Sequence, residues 1–105
     1  MADDPGTLRF LRTRWRESPG PDQDWGHSTW YMAFRSDGTV VEQFEVYDDG
    51  HLLHYDSSHV DDEFGGLSET LDDAAIESAL RDFSGTFLAE DDYRRTVSAL
   101  RATNR

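Results

Sequence analysis

Two short turn sequences constrain the fold of this chain more than any other feature. Ser36-Asp37-Gly38 and Asp48-Asp49-Gly50 each separate segments in which apolar and polar residues alternate. A period of two is typical of strands that bury one face, and glycine supplies the positive φ that tight turns need. The turns therefore predict two consecutive β-hairpins, with strands over His27–Arg35, Thr39–Tyr47 and His51–Asp56.

A further strand is predicted ahead of the hairpins, over Leu8–Glu17. Polar residues alternate there with Leu11, Thr13 and Trp15. Ser18–Asp24 contains two prolines and a glycine, which predict a surface loop. The four strands then form an antiparallel meander.

Helical patterns begin only after residue 68. Capping oxygens and first-turn acids precede an apolar stripe, which predicts a helix over Asp72–Asp82. Ala89-Glu90-Asp91-Asp92 opens a second helix, after the short apolar link Thr86-Phe87-Leu88. Strands followed by helices indicate the α+β class, and we expect both helices to pack on one face of the sheet. The 105 residues are predicted to form a single domain, frayed at 1–6 and 102–105.

Three stretches resemble a family of small uncharacterised bacterial domains. They are Trp15-Arg16-Glu17-Ser18-Pro19, the block from Val41 to Gly50, and Leu88-Ala89-Glu90-Asp91-Asp92-Tyr93. In that family a tryptophan strand precedes a proline loop, a hairpin whose second strand reads like V-E-x-F-x-D-G, and a C-terminal helix with an acidic start. The resemblance implies the fold; the family has no assigned activity.

Charge limits the classes of partner. The formal net charge is −12, and residues 37–92 hold seventeen acids but one arginine, Arg81. Such a chain is a poor match for nucleic acid or anionic lipid, whereas a basic protein complements it. The chain has no cysteine and no run that approaches the length of a membrane span, so we expect a cytoplasmic protein.

Arginines are concentrated in the first strand, where Arg12, Arg14 and Arg16 alternate with other residues. Guanidinium groups suit carboxylate or phosphate ligands. In so acidic a chain, however, we favour pairing with Glu42 or Glu45 on neighbouring strands.

Histidines among acids raise the hypothesis of a metal site. Where the chain leaves the fourth strand, the candidate ligands are His54, His59, Asp56 and Asp61. The alternative interpretation, which we favour, is a solvated acidic loop, so no cofactor is expected. Neither a Gly-x-Ser-x-Gly elbow nor a phosphate-binding loop is present, and the sequence indicates no catalytic residue.

The residues predicted to bind a partner lie on the hairpins: Tyr31, Val41, Glu45, Tyr47 and Tyr55. We expect the aromatic ones to share an exposed sheet face, ringed by acids. This pattern favours a non-catalytic module that engages a basic protein, as small immunity or antitoxin proteins do. The alternatives are a homo-oligomeric structural or accessory domain, such as a homodimer, and a small-molecule or metal-binding protein that uses the His54–His59 loop.

Overall fold

The computed structural model describes residues 8–15, 24–68 and 70–103. Its elements are, in chain order, β1 (Leu8–Trp15), β2 (Ser28–Arg35), β3 (Val40–Tyr47), β4 (Leu52–Asp56), β5 (Asp61–Asp62), β6 (Gly65–Gly66), α1 (Asp73–Asp82), β7 (Thr86–Leu88) and α2 (Glu90–Thr103). Five strands form an antiparallel sheet in the order β4-β3-β2-β1-β7, and β5 pairs with β6 separately. The predicted α+β class is confirmed.

Both predicted hairpins are present. Gly38 and Gly50 occupy the two turns with φ of 94° and 101°, which explains why glycine stands there. Of the first predicted strand, Arg16 and Glu17 lie outside the described residues. Residues 18–23 of the predicted proline loop, which include the proline of the family resemblance, also lie outside the described residues. The same holds for residues 1–6 and 104–105 of the ends that were predicted to fray.

The sheet has one strand more than the predicted four-stranded meander. Residues 86–88, interpreted from the sequence as a link, pair antiparallel with β1, where Leu88 lies opposite Phe10. A three-residue segment has too little periodicity to identify a strand. Pairing with β1, which is remote in sequence, makes it one.

The two helices lie on opposite faces of the sheet, so the prediction that both cover one face is wrong. Ile76 and Ala79 of α1 join the hydrophobic cluster that contains Leu11. Tyr93 of α2 belongs to a different cluster, which contains Phe10. Because consecutive strand residues point to opposite faces, burial of both Phe10 and Leu11 requires cover on both sides. We name the two sides the α1 face and the α2 face.

A β-bulge at Val41 changes which residues of β3 share a face. Ala33 pairs with Glu42 and Phe34 with Val40, so Val41 is an extra residue without a partner on β2. Every residue of β3 after the bulge therefore faces the side opposite to the one expected from regular alternation.

The α1 face is covered in two parts. Helix α1 lies over β1 and β2, while Trp25 and hairpin β5–β6 lie over β3 and β4. Trp25 packs with Tyr47, Leu53 and Tyr55 in a third cluster, and Phe64 of the hairpin packs against them.

The helix boundaries agree closely with those predicted. Asp72 caps α1, its side chain accepting a hydrogen bond from the Ala75 N–H at 2.7 Å. Helix α2 begins with three acids and continues to Thr103, two residues into the end that was predicted to fray. No helix of the described segments has the length and apolar character to cross a membrane.

Candidate functional site at the acidic edge of the sheet

Strand β4 lies at one edge of the five-stranded sheet, next to β3. The N–H and C=O groups of Asp56 point away from β3 and bond to His59, with N···O distances of 3.1 and 3.2 Å. Alternate residues of a strand turn these groups to the same side, so Leu52 and His54 also direct theirs outward. No strand among the described residues pairs with the outer side of these two. The edge has backbone donors and acceptors open to a further strand.

Carboxylates surround this strand. We define the acidic edge as six residues that precede, end or follow β4: Asp48, Asp49, Asp56, Asp61, Asp62 and Glu63. All are exposed except Asp56, which is half-buried. Residues 40–67 contain eight acids and no arginine or lysine. Negative charge is therefore concentrated on the side of the sheet where the backbone is open.

Turn geometry fixes the carboxylates at the two ends of β4. Asp49 accepts a hydrogen bond from the His51 N–H at 3.0 Å, which lowers the pKa of Asp49. The hydroxyl and N–H of Ser58 both donate to Asp56 at 2.8 Å and lower the pKa of that carboxyl. Both groups therefore stay ionised at a lower pH than a free aspartate would.

Hairpin β5–β6 carries the other half of the acidic edge. Asp62 Oδ1 accepts hydrogen bonds from the Phe64 N–H at 2.8 Å and the Tyr55 hydroxyl at 2.9 Å. Desolvation is the largest single influence on Asp62 and raises its pKa, but these and other hydrogen bonds together leave the pKa lowered. The side chains of Asp61 and Glu63 are exposed and form no ion pair within the described part of the chain.

More of these carboxylates pair with a histidine than with an arginine. The nitrogen–oxygen distances are 2.8 Å for His51–Asp49, 3.6 Å for His54–Asp56 and 3.3 Å for His59–Asp62. Across the described ranges, an arginine pairs with the acidic edge at Asp48 alone, through Arg14 at 2.8 Å. Within the described ranges, five of the six carboxylates therefore have no arginine as a partner, and their negative charge is available to a basic segment.

A buried hydrogen-bonded network supports hairpin β5–β6 from the sheet. Glu45 is 5% exposed and accepts hydrogen bonds from Gln43 Nε2 at 2.7 Å and the Tyr47 hydroxyl at 2.8 Å. Gln43 also donates to the Gly66 carbonyl at 3.3 Å and accepts from the Ser68 N–H at 3.0 Å. Burial raises the pKa of Glu45 more than these bonds lower it. The network ties β3 to the hairpin that carries half of the acidic edge.

The expectation of one exposed aromatic face is wrong. Tyr47 and Tyr55 are 4% and 0% exposed on the α1 face, together with the buried Glu45. Tyr31 lies half-buried on the α2 face, opposite Phe44 of β3. The bulge is the reason, because regular pairing from the turn would have placed Tyr31 and Tyr47 on the same side.

Val41, also half-buried, packs against the cluster of the α2 face. A role of Tyr31 or Val41 in partner binding stays a prediction. Glu45, Tyr47 and Tyr55 support the acidic edge from beneath.

The predicted pairing of the β1 arginines with Glu42 or Glu45 is wrong where the structure describes it. Arg14 pairs with Asp48 instead, and Glu42 with Arg101 of α2. Glu45 is inaccessible to Arg14 because it lies on the α1 face, whereas Arg14 is in register with Thr29 on the α2 face.

The candidate metal ligands are brought together only in part. His54 and Asp56 lie with Glu42, each offering an atom within 4.8 Å of the others. Within the described ranges, His59 and Asp61 belong to no such group. Glu42 was not among the predicted ligands, although hairpin pairing places it directly opposite Asp56 and could have indicated it.

Protein groups already engage Glu42. The Tyr93 hydroxyl donates to its Oε1 at 2.9 Å, and Arg101 Nη2 donates to its Oε2. The same Oε2 lies 3.3 Å from His54 Nε2. A cation between Glu42 and His54 would have to displace the guanidinium, so this cluster is better suited to joining α2 to the sheet than to binding a metal.

Comparisons with known proteins give no relative. The chain matches no protein-family model, and no curated protein or solved structure matches it significantly. The resemblance to small bacterial domains stays a prediction. The fold and the acidic edge define the class on physical grounds, as an α+β domain with an open edge strand surrounded by carboxylates.

Proposed function

We propose that this protein is a non-catalytic binding module whose acidic edge takes up a basic, extended segment of a partner protein. The observation that carries the proposal is the coincidence of six carboxylates with an open edge strand. An added strand would pair its backbone with Leu52 and His54 and direct basic side chains towards the carboxylates.

Backbone and charge contribute differently to such a complex. Pairing at a sheet edge supplies hydrogen bonds that almost any sequence can form. The carboxylates select a basic sequence and speed its association, an effect that salt weakens. The lowered pKa values of Asp49, Asp56 and Asp62 support this role, because these three carboxylates stay ionised at a lower pH than free aspartate would.

Small immunity and antitoxin proteins block a partner by covering it, and we extend the proposal to that mode of action in the cytoplasm. The homo-oligomeric alternative has less support, since each sheet face is at least partly covered by a helix. The metal-binding alternative also has less support, since Arg101 binds Glu42.

A titration with a synthetic peptide tests the proposal. The probe is a peptide of nine residues that alternates arginine and valine, and its binding is measured by calorimetry at several NaCl concentrations. The variant Asp61→Asn/Glu63→Gln removes two exposed charges and keeps Asp49, Asp56 and Asp62, whose side chains accept the turn hydrogen bonds. At about 0.5 kcal/mol for each charge, we expect about fivefold weaker binding.

The matched control is Asp73→Asn/Glu77→Gln, which removes one aspartate and one glutamate from exposed positions on α1. We expect it to change the affinity less than twofold. Equal weakening by the two variants, or an affinity insensitive to salt, would contradict binding at the acidic edge.

A further inference from the structure

A cavity of about 420 Å³ lies between α1 and the sheet, over β1 and β2. Leu11 and Met32 line it from the sheet, and Ala75 lines it from the helix. Sites for small molecules typically measure roughly 300–1,000 Å³. This apolar cavity is large enough to hold a ligand of two or three rings.

None of the twelve residues that line the apolar cavity within the described part of the chain is charged, although charged residues make up 30% of the chain. A carboxylate, phosphate or ammonium group placed there would lose part of its water and find no counter-ion among the described lining residues. That loss costs several kcal/mol for an isolated charge. The cavity therefore discriminates against charged ligands.

Three aromatic rings form one wall of the cavity. Trp15 stacks on Phe83 with ring centroids 4.3 Å apart, and Trp30 is tilted against Trp15 at 5.3 Å. All three side chains are half-buried, so part of each ring stays accessible. Flat ring systems pack well against such surfaces.

The polar atoms of the two indoles are already satisfied. Trp15 Nε1 donates to the Thr13 hydroxyl at 3.0 Å, and Trp30 Nε1 donates to the Ser28 hydroxyl at 2.8 Å. Neither indole needs a hydrogen bond from a ligand. The polar side chains that line the cavity are serines and threonines, so a ligand can carry a neutral polar group.

From its size, its lack of charge and its aromatic wall, we infer that the apolar cavity binds a small, uncharged aromatic molecule. The site shares no residue with the acidic edge, so the two proposals can fail independently. Its ligand would contact α1, β1 and β2 and leave β4 untouched.

Fluorescence of N-phenyl-1-naphthylamine, an uncharged aromatic probe, tests this inference. Its emission should rise saturably with the wild-type protein. The variant Ala75→Leu fills the cavity and should weaken binding at least about tenfold. The matched control is Ala74→Leu, which places the same side chain on the exposed side of α1 and should leave the affinity unchanged.

Competition by a neutral and a charged analogue tests the ligand class. Naphthalene-1-methanol should displace the probe, and 1-naphthylmethylamine should not, even though a protein of charge −12 attracts cations. Nuclear Overhauser contacts between the probe and the indoles of Trp15 and Trp30 in the wild-type protein remain informative if Ala75→Leu fails to fold. Non-saturable emission, equal binding by the two leucine variants, or displacement by the amine would overturn the inference.

Discussion

The acidic edge and the apolar cavity belong to one sheet but differ completely in charge. Six carboxylates surround β4, three of which, Asp49, Asp56 and Asp62, accept backbone hydrogen bonds in turns. Hairpin β5–β6 covers a buried polar network. Over β1 and β2, α1 packs on the sheet and leaves a cavity whose described lining contains no charged residue. The difference shows that the element covering each region sets its chemistry. The polar hairpin presents charge, whereas the apolar side of α1 faces the sheet and excludes it.

The largest contrast is expected from alanine at two glycines. A Cβ at Gly85, just after α1, would lie 2.6 Å from the backbone oxygen of Ala79, whereas Gly50, in the turn before β4, has open space. We expect Gly85→Ala to cost about 3 kcal/mol, because backbone has to move. Gly50→Ala should cost about 1 kcal/mol, from its positive φ alone. Urea unfolding measures the loss of stability in both variants. Equal losses would contradict tighter backbone packing at Gly85, beside the cavity, than at Gly50.

Removal of one hydroxyl from the buried network should be the next largest effect. Tyr47→Phe leaves the buried Glu45 with one hydrogen-bond donor fewer, at a cost of about 2 kcal/mol. The control Tyr31→Phe, on the α2 face, should cost less than about 0.5 kcal/mol. Thermal unfolding distinguishes them. A similar loss for both variants would argue against a supporting role of the network.

The opposite pKa shifts of Glu45 and Asp62 predict opposite pH dependences of the free energy of unfolding. The pKa of Glu45 is raised from 4.5, so its contribution is fully present below 4.5 and is lost as the pH rises through the folded value. The pKa of Asp62 is lowered from 3.8, so its contribution is present above 3.8 and is lost as the pH falls through the folded value.

Two variants check these signs by urea unfolding between pH 2 and pH 8. Glu45→Gln should remove a decline in stability above pH 4.5, and Asp62→Asn should remove a decline below pH 3.8. A decline that persists in its variant would show that another group is responsible.

The smallest expected effect is on the stability of the two charge variants. Asp61→Asn/Glu63→Gln removes repulsion between neighbouring acids and should stabilise the protein by about 0.5 kcal/mol at low salt. Asp73→Asn/Glu77→Gln should destabilise it slightly, because Asp73 lies in the first turn of α1 and Glu77 is 3.8 Å from Arg81. The free energy of unfolding is measured with and without 0.5 M NaCl. If both variants change it with the same sign at low salt, an excess of negative charge around β4 is contradicted.

Local patterns predicted most of the elements. The turns at Gly38 and Gly50 and the cap at Asp72 are specified by neighbours in sequence, and the hairpins and α1 follow from them. The carboxylates next to β4 could be located in the same way, since the predicted strand, His51–Asp56, differs from the observed Leu52–Asp56 by one residue.

The rest depends on contacts between distant residues. The bulge at Val41 has no signal in its own sequence, yet it moves Tyr47 to the face opposite Tyr31. Thr86–Leu88 is a strand only because β1 is available to pair with it. The cavity exists because α1 packs over β1 and β2, an arrangement that periodicity cannot specify.

Hydrogen exchange at the backbone amides of Leu52 and His54, with and without the arginine–valine peptide, tests the central proposal most directly. If the peptide adds a strand to β4, both amides should exchange more slowly in the complex, while the amides of α1 keep their rates. Binding without added protection of Leu52 and His54, or protection confined to β1 or α2, would contradict recognition at the acidic edge.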